Sequence, residues 1–374
     1  MLFSIPTGLG LATGDIRMMV LMFLIPGVAI YLASFLRKKV SARQSKARTD
    51  YASLLLLIGI VEIIVAAAAL MLDSSYIIPI CAIFVAIYAF SKEGIPRLLY
   101  SIDIYRYFAD KEDRQKLVGL DQGAKVLAYF LGSLTAAVLI GEGSWQYGLL
   151  IDALTFVIFG ATLFLGKDPD AEPTSTGESP PAEYGKELQT RLSHIAIIIP
   201  LVSFITCLYA PYLSLISSNN ELLSASTAVF VIGLINTPIM LFSIYWNRGG
   251  SPSRHQYLLY LLPFLYMLSG IMFLGFINTY TLIFAMVGGA IYSGLFFPAD
   301  YHYRSQLKGY DLIRFNTSVT RRFSLMQVIS CSIAFLLFTY AEVFEESALS
   351  LQVVTLFIVA ASWKIFSRRS KCLL

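Results

Sequence analysis

The chain has 374 residues, of which 57% are hydrophobic and only 14% charged, with a formal net charge of +4. That is too little charge to solvate the surface of a soluble protein of this length, so the composition excludes a soluble enzyme or nucleic-acid-binding domain and indicates a polytopic membrane protein. Lys and Arg fall in alternate loops, the distribution that orients a chain in a bilayer rather than one that binds nucleic acid.

Crossing a ~30 Å hydrocarbon core takes ~20 helical residues at 1.5 Å each. Leu2 to Ala12 is apolar but covers only ~17 Å as a helix, so the first span is either truncated or not a span. Arg17 to Leu36 is a full span with Pro26-Gly27 inside it, followed by Arg37, Lys38, Lys39, Arg43, Lys46 and Arg48, the densest basic loop in the chain. Tyr51 to Leu72 and Tyr76 to about Ser91 follow, joined by the short turn Asp73-Ser74-Ser75. Lys92 to Lys116 mixes both charges with Tyr100, Tyr105, Tyr107 and Phe108, which suits an amphipathic interfacial connection.

Gly119 to Gly166 contains two long apolar runs joined by the polar turn Gly141 to Gln146, a bilayer-spanning helical hairpin. Lys167 to Arg191, rich in Pro, Glu, Ser and Gly, reads as a disordered linker. Further spans run near Leu192 to Ser217, Ser226 to Trp246, Tyr257 to Phe276, Thr279 to Phe297, Phe323 to Ala341 and Leu349 to Ile365. The loops with Arg248 and Arg254, with Arg304, Lys308, Arg314, Arg321 and Arg322, and with Arg368, Arg369 and Lys371 fall on the side of the first basic loop. The intervening loops carry Glu221, Glu342, Glu345 and Glu346 and no Lys or Arg, so the positive-inside rule puts the basic side and the C-terminus in the cytoplasm.

The second half repeats the rhythm of the first. Ile87-Tyr88-Ala89-Phe90 leading to Pro96 matches Ile291-Tyr292-Ser293-Gly294 leading to Pro298, each before a charged, Tyr-rich inner loop. The expected domains are an N-terminal bundle over 1–166, a cytoplasmic linker over 167–191 and a C-terminal bundle over 192–374, the parallel-repeat arrangement of a large transporter fold.

With these features the chain resembles a major facilitator superfamily transporter, and within it the macrolide-type and siderophore-type drug:proton exporters. The resemblance rests on Leu150-Ile151-Asp152-Ala153-Leu154-Thr155-Phe156 in the sixth span, Gly132 in the fifth and Pro96-Arg97 after the fourth. It implies an all-α fold of two six-helix halves, with 11–12 spans depending on the first. The chain departs from the pattern at Gly132-Ser133, where such exporters usually carry Gly-Pro, and at Ala136 and Ala137, where glycines are expected. In the loop motif after the second span the Gly and Asp are absent, leaving Ala33, Ser34, Phe35 and Leu36 before Arg37-Lys38-Lys39. In the family that motif latches the two halves together in one state.

An ionised side chain at mid-membrane costs ~2.5 to 3.5 kcal/mol on insertion scales, so each one needs a reason. Glu62, at the centre of LLLLIGIVEIIVAAAALML, is the proton-coupling candidate, weighed against a protonated Glu hydrogen-bonded to a neighbouring helix. In the family layout its span is peripheral. Lys125 either snorkels to the inner surface or faces the cavity, and Asp152 and Gly132 are read as structural, Asp152 capping or holding the hairpin. The resemblance places Tyr88, Lys125, Tyr129, Tyr209, Asn236, Tyr292 and Gln327 among substrate-cavity residues, and Glu93 and Arg97 form a cytoplasmic gate or an ordinary solvated helix end.

His194, His255 and His302 are scattered and Cys81, Cys207, Cys331 and Cys372 lack metal spacing, so no metal or other cofactor is expected. There is no Walker-type loop and no nucleophile elbow, hence no direct use of ATP and no enzyme. The expected function is proton-coupled export of an amphiphilic drug, siderophore or peptide-derived natural product by alternating access. The expected partners are the lipid bilayer, a small-molecule substrate and protons, and the expected state is a monomer in a bacterial inner membrane. Two other readings stand beside it: import or facilitated diffusion of a small metabolite, and a non-transporting sensor or scaffold descended from a transporter.

Overall fold

The computed structural model describes residues 15–36, 47–92 and 111–166, together with residues 5, 13, 94, 96 and 237 and a set of positions between 316 and 339. Among these residues every regular element is helical: α1 (Ile16–Leu36), α2 (Ala47–Met71), α3 (Ser74–Lys92), α4 (Lys111–Gly141) and α5 (Trp145–Leu165). The described positions of the last set are helical as well.

Local chemistry sets where the helices begin and end. Asp15 starts α1: its Oδ1 accepts the Arg17 amide at 2.8 Å and its carbonyl accepts the Met18 amide at 3.1 Å, which satisfies amides that a helix start leaves open. The Arg17 side chain donates to both carboxylate oxygens and holds the Asp15 carboxyl below the usual carboxylate range. The turn expected at Asp73-Ser74-Ser75 is tighter than the sequence suggests, because the Asp73 carbonyl accepts the amides of Tyr76 and Ile77 and α3 begins at Ser74.

The hairpin forms where the apolar runs predict it. Its turn is Glu142-Gly143-Ser144, with Gly143 in the left-handed region at φ 68°, a conformation that suits a residue without Cβ. One boundary needs correction: Lys111 to Lys116, assigned from its charges to an interfacial connector, is the first turn and a half of α4. With 31 residues α4 is ~46 Å long, more than a bilayer core needs, so its charged start extends beyond the apolar layer.

Packing is closest between the antiparallel pair α2 and α5 and next between α1 and α3, with α2 and α3 in lesser contact. A shared core joins Met22 of α1, Ile58, Val65, Ala66 and Ala69 of α2, Ile77, Cys81, Phe84, Val85 and Tyr88 of α3, and Trp145 and Leu149 of α5. Ile5, the described residue of the short first segment, is helical and belongs to the same core. Cys81 and Cys331 are buried free thiols, in keeping with a packing role. Large apolar side chains also cover the outside, among them Leu57, Ile60, Ile64 and Leu70 on α2 and Leu154, Ile158 and Phe164 on α5. Helices apolar on their outer as well as inner faces suit a hydrocarbon solvent.

Candidate functional site

The α2–α5 interface is built from small residues. A Cβ placed on Gly59 would lie 2.8 Å from Val157 Cγ2 and 3.0 Å from the Ala153 carbonyl oxygen, and one on Gly160 would lie 2.9 Å from Leu56 Cγ and 3.1 Å from the Ala52 carbonyl. Ala52 and Gly59 are seven residues apart on one helix, as are Ala153 and Gly160 on the other, so each pair falls on one face and the backbones approach closely. Sequence reasoning missed these glycines, although the two spacings of seven are visible in the chain. Gly132, which it favoured, is exposed, and a Cβ placed on it would meet no atom of the described residues within 4 Å.

The same register brings Glu62 to Asp152. Gly59 lies opposite Ala153 and Phe156, and one helical turn further along α2 Glu62 faces the turn of α5 that carries Asp152. Glu62 is fully buried, and among the described residues neither of its carboxylate oxygens meets a hydrogen-bond partner. The carboxyl is enclosed between α2 and α5, while Leu57, Ile60 and Ile64 on the same helix are exposed. Asp152 lies two turns inside α5, past the capping positions, and its backbone carbonyl accepts the Thr155 hydroxyl at 2.7 Å.

A second cluster joins α1 to the helical residues between 316 and 339. The Gln327 side-chain amide donates to the Phe23 carbonyl at 2.8 Å, in the turn that Pro26 disrupts by removing a backbone donor. Gly27 makes room for it: a Cβ there would be 3.2 Å from both Gln327 Cγ and Val328 Cγ2. Toward the end of α1, Arg321 donates to the Ser34 hydroxyl at 3.3 Å and the Ser34 carbonyl at 3.5 Å, and its guanidinium lies 4.5 Å from the centre of the Phe35 ring. Ser34 and Phe35 stand in the eroded loop motif, so the chain retains a long-range contact there through different residues.

The remaining candidates divide between packed and undescribed positions. Tyr88 is buried in the core, edge-on to Phe156 at 5.6 Å, with Lys92 Nζ 5.6 Å from its ring centre. Lys125 and Tyr129 lie within α4. Glu93, Arg97, Tyr209, Asn236 and Tyr292 lie outside the described residues, as do the linker 167–191, Cys207, Cys372 and the expected spans from 192 to 297 apart from Thr237. Among the described residues no group of three or more His, Cys, Asp and Glu side chains is placed to hold a metal ion.

Residues 101–306 match the family model described as Major Facilitator Superfamily. No curated protein matches the chain. Among solved structures, the nucleoside transporter NupG is similar over 99% of this chain and 94% of its own, with a TM-score of 0.63 and 14% identity. A bacterial homologue of the iron transporter ferroportin, in an outward-facing state, is similar over 99% of this chain and 94% of its own, with a TM-score of 0.61 and 12% identity. Likeness at these identities establishes a shared all-helical architecture.

Proposed function

The chain belongs to the major facilitator superfamily and is an integral membrane secondary transporter, not an enzyme, and on that premise we propose that it exports an amphiphilic compound in exchange for protons. The observation that carries the proton half of this reading is Glu62, a carboxyl wholly buried inside a helix long and apolar enough to span the bilayer. An acidic group at such depth is retained against its insertion cost when it takes up and releases a proton during work.

The two bundles, 1–166 and 192–374, rock against each other about a midplane site. The end of α1 at Leu36 leads into the basic loop 37–46 and so faces the cytoplasm by the positive-inside rule. The contacts of Arg321 with Ser34 and Phe35 lie at that end and hold α1 against the helical residues between 316 and 339 there, while Gln327 on Phe23 ties the same elements together deeper in the bilayer. Their presence supports a state closed to the cytoplasm, from which substrate leaves outward.

Amphiphilic drugs, siderophores and peptide-derived products are the substrate class suggested by the sixth-span string around Asp152. The shared architecture of a nucleoside transporter keeps uptake of a small polar metabolite as a second reading. Both are separated by one assay: accumulation of labelled amphiphilic antibiotics, siderophores and nucleosides in cells with and without the protein, repeated after the pH gradient is collapsed and with Glu62→Gln. Lower accumulation of an amphiphile that needs both the gradient and Glu62 is the expected result. Raised nucleoside uptake would replace export by the second reading, and efflux indifferent to the gradient would refute proton coupling.

A further inference from the structure

Glu62 and Asp152 sit on different helices, 90 residues apart in sequence, yet the close Gly59 and Gly160 packing fixes them at one level of the α2–α5 interface. A carboxylate offers only acceptors, and an acceptor facing an acceptor in a dry interface is unfavourable until one oxygen carries a hydrogen. Neither Glu62 oxygen finds a donor among the described residues. The two Thr hydroxyls of α5 do not supply one: Thr155 donates to the Asp152 backbone carbonyl and Thr162 to the Phe159 carbonyl. The ionisable group that the α2–α5 register brings to Glu62 is the Asp152 carboxyl.

We propose that Glu62 and Asp152 together form one proton-binding unit, in which a single proton held between the two carboxyls bridges α2 and α5. The proton makes one carboxyl a donor to the other, so the buried Glu62 oxygens are not left as bare acceptors. Asp152 is then a partner in protonation and not a capping or hairpin-holding residue. Proton release leaves two acceptors face to face across a helix contact too tight to relax by side-chain motion, so it loosens the α2–α5 seam. In this way occupancy of the site is linked to the packing of the N-terminal bundle. The assignment rests on the proton-coupled reading above for its role in transport, but proton binding by the pair can be measured without transport.

The test is pH-difference infrared spectroscopy on the purified protein in lipid vesicles, following the carbonyl stretch of protonated carboxyl groups, for the wild type, Glu62→Gln, Asp152→Asn and the double variant. Shared titration predicts that either single substitution removes the wild-type band and moves the remaining carboxyl's midpoint by about one pH unit or more, and that the double variant lacks both. A Glu62 band that titrates identically with and without Asp152 would overturn the proposal, as would a wild-type band shifted by replacing choline with sodium at constant pH, which would assign the pair to an alkali cation.

A measurement on unmodified protein guards against misfolded variants. A hydrophobic carbodiimide, which reacts with protonated carboxyls, is expected to leave one adduct per chain, found at Glu62 or Asp152 but never both. Adducts at both, or at neither, would refute a single shared proton. If efflux proves independent of the pH gradient while the coupled titration persists, the functional reading fails and the paired site stands. If efflux depends on the gradient while the carboxyls titrate separately, the pairing fails and proton coupling stands.

Discussion

Substituting Gly59 by Ala tests the tight seam on which the site depends. The new Cβ would stand 2.8 Å from Val157 Cγ2 and 3.0 Å from the Ala153 carbonyl oxygen, where ordinary contact begins at 3.4 Å. Val157 is a side-chain end and gives a little, but the Ala153 oxygen is backbone, so α2 and α5 must part by a few tenths of an ångström along the interface. Overpacking of this kind costs about 1–3 kcal/mol. Gly160→Ala meets the Ala52 carbonyl and the Leu56 amide at 3.1 Å and is expected to cost toward the lower end of that range. Once the helices have separated for one methyl the second is partly accommodated, so the double variant should lose less than the sum of the two. Gly132→Ala is the control: with nothing within 4 Å, it should be neutral or gain roughly 0.5–1 kcal/mol from helix propensity. The assay is reversible unfolding in mixed micelles titrated with SDS, with labelling of the buried Cys81 thiol as a second probe of packing. If Gly59→Ala unfolds at the same point as Gly132→Ala, the close α2–α5 contact is wrong, and with it the register that places Glu62 against Asp152.

Arg321→Gln removes a charged donor from Ser34 and the guanidinium from the Phe35 ring. With hydrogen bonds this long and a partly exposed cation–π contact the loss is about 1–2 kcal/mol, a roughly 5- to 30-fold shift toward the cytoplasm-open state, read as faster labelling of cysteines introduced on the cytoplasmic face of α1. Unchanged labelling would remove Arg321 from the closing contact. Gln327→Leu loses one hydrogen bond to Phe23, about 1 kcal/mol, and should shift the same readout in the same direction but less. Gly27→Val drives a branched side chain into a space where one methyl already meets Gln327 and Val328 at 3.2 Å, so it should weaken the contact between α1 and Gln327 more than Gln327→Leu does. Asp15→Ala removes the start of α1 at a cost of about 0.5–2 kcal/mol. Because Arg17 depresses the Asp15 carboxyl, its contribution is complete above the ordinary value of 3.8 and lost as pH falls through the lower folded-state value. Wild type and Asp15→Ala should therefore differ by a constant amount through the neutral range and converge only in strong acid.

The sequence by itself determined the membrane class, the described spans and the family. Each follows from patterns local to the chain: apolar runs of bilayer length, basic residues in alternate loops, and the string around Asp152. Glu62 was legible as well, because an acidic residue among leucines and isoleucines is conspicuous without any neighbour. What surrounds Glu62 was not. Uniformly apolar helices have no polar face to show which side meets lipid and which meets protein, so the sequence put weight on Gly132 rather than Gly59 and Gly160. The loss of the loop motif after α1 likewise suggested a missing latch, whereas Arg321 reaches Ser34 across 287 positions of chain. Such contacts depend on helix rotation and on which backbones approach closely. Those are fixed by packing among many residues at once, and so only the tertiary structure decided that Glu62 meets Asp152 and that α1 meets the helix of Gln327.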